Sequence, residues 1–218
     1  MISTGNDIIA LKTINIARTK QKNFYRKIIS ASEKDLYDRQ FSGRLPLDIF
    51  VWLLWSVKES AYKYLQRITP ELVFSPTRII IDQLALPVGN FVGQLEGKGF
   101  DDDSVYKGVV SFGDHMLYSK SVINEEFIFS VVNCTDDFGH IRWGIQLIHS
   151  SEPDAQSKAV REFIIKALGP LFPDGDLLVD KSQYGYPIIL KDGVEIPLPV
   201  SLAHHGHYVG YSIAVLED

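Results

Sequence analysis

The chain has 218 residues, 45% of them hydrophobic and 22% charged, and its one cysteine excludes an internal disulfide and a cysteine-cluster metal site. The net charge of -5, from 27 acidic and 22 basic residues, argues against a nucleic-acid partner. No apolar run approaches the roughly 18 residues that a membrane span needs, so we expect a soluble, cytoplasmic protein.

The N-terminal segment is predicted to contain a strand followed by a helix. Residues 2–9 are read as a strand that places Asp7 near a sheet edge. Residues 30–33 and 32–35 both have the serine-to-acid spacing of a capping box. A helix should therefore begin near Ser32.

The strongest helical pattern runs from residue 47 to residue 67. One apolar stripe follows the period of 3.6 residues: Phe50, Leu54, Val57, Ala61, Tyr64 and Ile68. A second stripe lies on another face: Trp52, Trp55, Glu59 and Lys63. A helix that is bulky on two faces should be covered on both, so we expect it at an interface between two subdomains, with Glu59 and Lys63 at the edge where ligand can enter.

The rest of the chain is predicted to be rich in strands, with one further helix. Residues 78–148 contain short apolar runs separated by Gly, Asp and Asn, which is typical of antiparallel strands. A helix should then begin at residues 151–154 and end before Gly169. After it, residues 188–190 and 208–216 read as strands of one small sheet. We place a domain boundary between residues 149 and 150, which gives domains 1–149 and 150–218.

Three segments contain residues suited to phosphate and metal chemistry. Residues 5–8 read Gly-Asn-Asp-Ile, residues 55–63 read Trp-Ser-Val-Lys-Glu-Ser-Ala-Tyr-Lys, and residues 200–206 read Val-Ser-Leu-Ala-His-His-Gly. Alone, a Gly-x-Asp is usually a turn, and a Lys-Glu pair on a helix is usually solvated. The tryptophans instead favour a partly desolvated site. His204 and His205 do not converge on one ion from a strand, so a capped or solvent-facing pair is the better reading unless a ligand phosphate supplies the partner.

In this order, the segments resemble the 4'-phosphopantetheinyl transferase superfamily, with its Gly-x-Asp strand, Trp-x-x-Lys-Glu-Ala helix and Ser-x-Ser-His turn. The sequence Tyr-Gly-Tyr-Pro at residues 184–187 is similar to the Gly-Lys-Pro element of the family. The motif order is that of the small holo-acyl-carrier-protein synthases, whereas the length is that of the surfactin-type enzymes. The resemblance implies an α+β pseudo-dimer of two similar halves, each a small antiparallel sheet packed with a long helix, and a monomeric chain.

The resemblance also implies a reaction and the residues that perform it. The enzyme would move phosphopantetheine from coenzyme A, its co-substrate, to a serine of an apo carrier protein and release 3',5'-ADP. Asp7 and Glu59 would hold the magnesium ion that binds the diphosphate. Glu59, directly or through a metal-bound water, would accept the serine proton. Lys63 would neutralise developing charge, and Lys58 would help to hold phosphate.

The nucleotide end of coenzyme A would meet the C-terminal motifs. His204 would contact phosphate there, and Ser201 would support the turn that carries it. The adenine would be bordered by four residues: Tyr184, Gly185, Tyr186 and Pro187.

Several positions depart from the family pattern. They are Asn6 for an aliphatic residue, Ser60 for alanine, Tyr186 for lysine, Ala203 for the second serine, and Ile9 where the surfactin-type enzymes often have a third acid. The lysine missing at residue 186 should weaken contact with the 3'-phosphate. These departures keep open a non-catalytic module that binds coenzyme A or a carrier protein. A third reading is a structural interaction protein in which Lys58 and Glu59 form an ordinary surface pair.

Overall fold

Antiparallel sheets and helices make up residues 3–91 and 93–215, the part of the chain that this computed structural model describes. This α+β architecture confirms the fold class expected from the sequence. The expected strand ends at Ile2 and Leu216 lie outside the described residues. Among the helices of these ranges, none combines the length and apolar character that crossing a membrane requires.

The N-terminal part of the chain contains one strand and four helices. They are β1 Gly5–Ala10, α1 Ile16–Thr19, α2 Lys22–Tyr25, α3 Ala31–Leu36 and α4 Leu47–Gln66. The first of the two capping-box registers is confirmed: Ser30 Oγ accepts from the amide of Glu33, whose carboxylate accepts from the amide of Ser30. The apolar periodicity does not predict α1 and α2, which are single turns.

The sheets are built mainly from the remaining chain. The six strands between α4 and residue 150 are β2 Ile80–Ala85, β3 Glu96–Lys98, β4 Tyr106–Phe112, β5 His115–Ile123, β6 Phe127–Asn133 and β7 Ile141–Leu147. After them come α5 Pro153–Leu168, β8 Leu177–Lys181, β9 Pro187–Lys191, β10 Val194–Ile196, β11 Val200–His205 and β12 Tyr208–Ala214. The predicted β-rich region and the predicted helix before Gly169 are both confirmed.

The strands form three antiparallel sheets, with the orders β1-β6-β5-β4-β2, β11-β12-β7-β3 and β10-β9-β8. The strands after residue 150 therefore divide between two sheets, which corrects the expectation of one small sheet there. The four-stranded sheet takes strands from both sides of the boundary expected after residue 149. The expected pseudo-dimer is not confirmed, and the boundary stays a prediction.

Helix α4 is the central element because it covers β1 and β6 of the five-stranded sheet. The predicted apolar stripe is buried along the helix, with the exception of Ile68, which lies beyond the helix end and is 38% exposed. Trp52 contacts Phe24 and Trp55 contacts Phe74, both of which belong to the N-terminal part of the chain. The two tryptophans therefore pack against the N-terminal part of the chain, whereas Lys63 of the same stripe lines a cleft with C-terminal residues, and the expected interface stays a prediction.

Gly5 allows α4 to approach β1 closely. A Cβ atom at residue 5 would overlap the carbonyl oxygen of Ser60 and lie 2.8 Å from the amide nitrogen of Tyr64. Both obstacles are helix backbone, which cannot move aside as a side chain can. The glycine of the Gly-x-Asp motif is thus required for helix packing, and this packing brings Asp7 under α4.

Replacement of Gly5 tests this contact. We expect Gly5→Ala to lower the free energy of unfolding by about 3 kcal/mol, because overpacking against rigid backbone forces strand and helix apart. Gly169→Ala is the control, since its Cβ would lie 3.5 Å from the nearest atom and the residue has right-handed helical dihedrals. Urea unfolding of both variants measures the effect. Equal stability of the two variants would contradict the close approach of α4.

Candidate active site at the junction of two sheets

Backbone amides at the outer edge of β1 donate hydrogen bonds to side chains of β11. The amide of Asn6 donates to Ser201 Oγ at 3.0 Å, and the amide of Ala10 donates to His205 Nδ1 at 2.9 Å. Residue numbers rise together in these two pairs, so β1 and β11 run in the same direction. The first and third sequence motifs, 195 residues apart, therefore lie side by side.

His205 is a capped histidine, one of the two alternatives drawn from the sequence. Its Nδ1 accepts the amide proton of Ala10, so the imidazole proton of the neutral ring is on Nε2, which lies 3.5 Å from Thr13 Oγ1. Burial lowers the pKa of His205, and the charge of Glu59 only partly opposes this. The ring therefore remains neutral and holds the end of β1.

The second motif meets the first through the ammonium group of Lys63. Lys63 Nζ donates to the carbonyl oxygen of Asn6 at 3.0 Å and to Asp7 Oδ1 at 3.3 Å. Glu59 Oε1 lies 3.5 Å from the same nitrogen, one helical turn earlier on α4. The structure thus brings together the three residues predicted to be catalytic.

Burial makes the electrostatics of this cluster unusual. Burial raises the pKa of Asp7 to about 7, while Lys63 lowers it and Glu59 raises it further. Burial acts to lower the pKa of Lys63, but the two carboxylates outweigh it and raise the pKa above its usual value. Lys63 therefore remains charged, and Asp7 keeps a proton far more readily than an exposed aspartate does.

His204 lies beside this cluster on β11. Partial burial lowers the pKa of His204, the ammonium of Lys63 lowers it further, and the carboxylate of Glu59 raises it. The charges of both α4 residues thus reach His204, although it comes from a segment more than 140 residues away. Although neighbouring groups partly cover its ring, His204 retains exposed surface that a ligand can reach.

The predicted adenine-binding residues lie in the turn between β8 and β9. This turn, the end of α4 and the start of β11 enclose a cleft of about 210 Å³. Its lining includes Lys63, Arg67, Gly185, Tyr186, Pro187 and Ser201. The rings of Tyr184 and Tyr186 stack with 6.4 Å between their centroids. A larger cavity of about 590 Å³ lies against β2, β4 and β5, and none of the predicted site residues lines it.

Lys58 lies apart from the cluster, so the structure does not support the phosphate contact that we expected for it. Its ammonium is fully buried and donates to Glu33 Oε2 at 2.7 Å and to the carbonyl oxygen of Ile28 at 2.8 Å. Glu33 also accepts from the amide of Ile81. Lys58 therefore ties α4 to α3 and β2 and cannot reach the cleft in this arrangement.

Arg67 is a cleft residue that the sequence analysis missed. Its guanidinium lies 4.7 Å from the centroid of the Tyr186 ring and donates to the carbonyl oxygens of Pro187 and Val200. The available signal was its position four residues after Lys63, which places both residues on one face of α4.

Asp7 and Glu59 are the two residues suited to a metal ion. Asp7 Oδ2 is buried and has no hydrogen-bond partner within residues 3–91 and 93–215, so it is free to bind a cation. Carboxylate oxygens are the ligands that Mg²⁺ prefers, and this ion usually keeps several waters. No group of three or more His, Cys, Asp or Glu residues suited to a metal occurs in the described part of the chain. The two carboxylates fit the ion only with water or ligand oxygens as further ligands.

Two acids and a lysine thus lie beside a cleft lined by aromatic and cationic side chains. Residues 3–102 match the family model of the 4'-phosphopantetheinyl transferase superfamily. This match confirms the resemblance seen in the sequence and covers a little under half of the chain, including Asp7, Glu59 and Lys63. No curated protein and no solved structure matches the chain.

Removal of the Lys58 ammonium should be severely destabilising. We expect Lys58→Met to lower the free energy of unfolding by about 3 kcal/mol, because it leaves the buried carboxylate of Glu33 without its cation. Lys34→Met is the control, since Lys34 forms an ion pair with Asp38 at the surface, which is worth less than about 1 kcal/mol. Urea unfolding compares the two variants. A small effect for Lys58→Met would contradict the assigned structural role.

Asp7 should make the metal-free protein lose stability as pH rises. The pKa of Asp7 is about 7 in the folded state, compared with the ordinary value of 3.8 that applies to the unfolded state. Between pH 3.8 and pH 7, Asp7 therefore binds a proton in the folded state but not in the unfolded state. Stability from this group is complete below pH 3.8 and is lost as pH rises to 7, with a slope of at most about 1.4 kcal/mol per pH unit. Asp7→Asn lacks this loss. Urea unfolding in the presence of a chelator measures the free energy of unfolding from pH 5 to 8. The stability of Asp7→Asn relative to the wild type should increase with pH, and a constant difference between the two proteins would contradict this.

Proposed function

We propose that this chain is a holo-acyl-carrier-protein synthase type of 4'-phosphopantetheinyl transferase. It moves the phosphopantetheine arm of coenzyme A onto a serine of an apo carrier protein and releases 3',5'-ADP. The observation that carries the proposal is the gathering of Asp7 and Glu59 around Lys63, next to His204. The family match over residues 3–102 supports the same reaction.

The transfer breaks the phosphoanhydride bond of coenzyme A and forms a phosphate ester with the carrier serine. The serine oxygen of the carrier attacks the β-phosphorus of coenzyme A, and the bond from that phosphorus to the bridging oxygen breaks. Such reactions depend mainly on positioning and on neutralisation of charge. Lys63 supplies a permanent positive charge at the diphosphate, because two carboxylates raise its pKa.

Glu59 is the residue that accepts the serine proton. Its side chain is 30% exposed, whereas that of Asp7 is only 6% exposed, so an incoming carrier can reach Glu59 alone. Lys63 holds one Glu59 oxygen and leaves the other available. Proton acceptance by a positioned carboxylate activates the weak hydroxyl nucleophile.

Asp7 and Glu59 together would hold Mg²⁺, as the free Oδ2 atom of Asp7 favours. The ion would supply further positive charge to the diphosphate of coenzyme A. The chain itself contributes the enclosed oxygens of Asp7, the more exposed oxygens of Glu59 and the ammonium of Lys63, which must share its carboxylates with the ion.

The C-terminal residues bind the nucleotide end of coenzyme A. His204 contacts phosphate, and Ser201 supports its segment by accepting the amide proton of Asn6. The turn at residues 184–187 borders the adenine, since the stacked rings of Tyr184 and Tyr186 offer a flat aromatic surface. The carbonyl of Pro187 is held by Arg67, which fixes the turn against α4.

We also propose a pseudo-dimer of two similar halves within one monomeric chain. In the N-terminal part β1 precedes the long helix α4 and pairs with β6, the last strand before β7. In the C-terminal part β7 precedes the long helix α5 and pairs with β12. This parallel supports a boundary before β7 rather than after residue 149. The cytoplasmic location stays a prediction from the sequence.

The reaction is tested by mass spectrometry of apo carrier proteins from fatty-acid, polyketide and peptide synthesis, incubated with coenzyme A, Mg²⁺ and this protein. We expect one carrier to gain one phosphopantetheine group. Asp7→Asn and Glu59→Gln should each lower the rate by about 100-fold or more, since each removes a charge from the reacting centre. Urea unfolding of both variants should remain cooperative.

Glu162→Gln is the matched control, because Glu162 forms the same kind of pair with Lys158 on the surface of α5. It should leave the rate unchanged. Full activity in Asp7→Asn or Glu59→Gln would refute the assignment of the site. Binding of coenzyme A without mass gain in any carrier would instead favour the non-catalytic module that the changes at residues 186 and 203 keep open.

A further inference from the structure

Arg67 is held in a fixed position at the mouth of the cleft. It lies at the end of α4, one turn beyond Lys63. Its Nη2 atom donates to the carbonyl oxygen of Pro187 at 2.6 Å and to that of Val200, while its guanidinium plane covers the ring of Tyr186. The side chain is therefore ordered by the adenine-bordering turn on one side and by β11 on the other.

Within the described part of the chain, the charge of Arg67 has no ion-pair partner. Over residues 3–91 and 93–215, no carboxylate lies within ion-pair distance of it, and its Nε and Nη1 atoms donate to no protein acceptor. Burial lowers the pKa of Arg67 to about 10, with Tyr186 and the more distant Glu195 opposing this, so the group is charged at neutral pH. A half-buried cation with free donors is suited to an anion from outside the protein.

The surroundings of Arg67 narrow the choice of anion. A guanidinium presents its donors as a fork that matches the oxygens of a phosphate group. Lys63, proposed to meet the diphosphate, and Arg67 line the same cleft and are neighbours on one helix face. Tyr184, whose ring stacks with that of Tyr186, is exposed and offers an aromatic surface to a purine. A nucleotide with a second phosphate fits this combination.

Building on the proposed function, we propose that Arg67 binds the 3'-phosphate of coenzyme A and makes the protein select coenzyme A over dephospho-coenzyme A. Arg67 would then provide, from α4, the cation that Tyr186 does not provide from the turn. This assignment makes Arg67 a specificity-determining residue and gives the cleft a defined ligand group.

The test compares adenosine 3',5'-bisphosphate with adenosine 5'-monophosphate by titration calorimetry. The wild type should bind the bisphosphate at least about tenfold more tightly, as expected for a charge-assisted contact. Arg67→Met, which retains the length over Tyr186, should lose most of this preference. Arg78→Met is the matched control, because the Arg78 guanidinium also lies over an aromatic ring, that of Phe112, but outside the cleft. It should leave the preference intact.

A purely structural role for Arg67 predicts a different result. Arg67→Met would then weaken both nucleotides equally, and this outcome would overturn the proposal, as would an unchanged preference or a wild type that binds neither nucleotide. If Arg67→Met does not unfold cooperatively in urea, Arg67→Lys is the variant to test, because lysine keeps the positive charge but lacks the paired donors of the guanidinium. A preference reduced by about threefold or more supports the proposal, and an undiminished one overturns it.

The binding test is independent of turnover. Absence of transfer to any carrier, combined with a bisphosphate preference that Arg67→Met removes, would refute the proposed function and retain the nucleotide site. Transfer by the wild type with equal rates for coenzyme A and dephospho-coenzyme A would retain the function and refute the role of Arg67.

Discussion

The ammonium of Lys63 is the interaction on which the rest of the site depends. It lies between Asp7, Glu59 and the backbone carbonyl of Asn6, and so joins helix α4 to strand β1. Two carboxylates, one of them buried, would repel each other without a cation between them. The same arrangement fits the proposed chemistry. A metal ion bound by the two carboxylates would take over part of the charge neutralisation that Lys63 provides, and Lys63 could then also contact a phosphate.

Helix α4 separates a structural lysine from the lysine that we propose to be functional, within a single motif. Lys58 and Lys63 are five residues apart, which turns their side chains by about 140° around the helix axis. Lys58 therefore faces α3, where Glu33 and Ile28 enclose it, whereas Lys63 faces β1 and the cleft. Lys58 holds the helix in place, and this placement positions Lys63 beside Asp7.

Much of this arrangement could be predicted from local patterns. The period of 3.6 residues identified α4 and its buried stripe, and the serine-to-acid spacing identified the cap at Ser30. The motifs identified Asp7, Glu59 and Lys63 as residues that meet. Each of these predictions rests on residues whose geometry follows from one helix, one strand or a recognised motif order.

The rest depends on contacts between distant segments, which no local pattern encodes. The burial of Lys58 required a partner in α3, 25 residues earlier. The cover over the tryptophans comes from Phe24 and Phe74, which periodicity could not place. The sheet that contains β11 draws on β3 and β7, so strand pairing crosses the boundary expected from a change in composition. The position of Arg67 in the cleft depends on Tyr186 and Pro187, which are distant in sequence and are brought to it only by folding.

We propose that the carboxylates of Asp7 and Glu59 form one cation site with Lys63 beside a cleft that binds coenzyme A. Electron paramagnetic resonance of Mn²⁺, a spectroscopic substitute for Mg²⁺, tests it directly by counting bound ions in the presence of coenzyme A. We expect one Mn²⁺ ion per chain, with affinity reduced about tenfold or more when either carboxylate is replaced by its amide. Unchanged Mn²⁺ affinity after both replacements would contradict it.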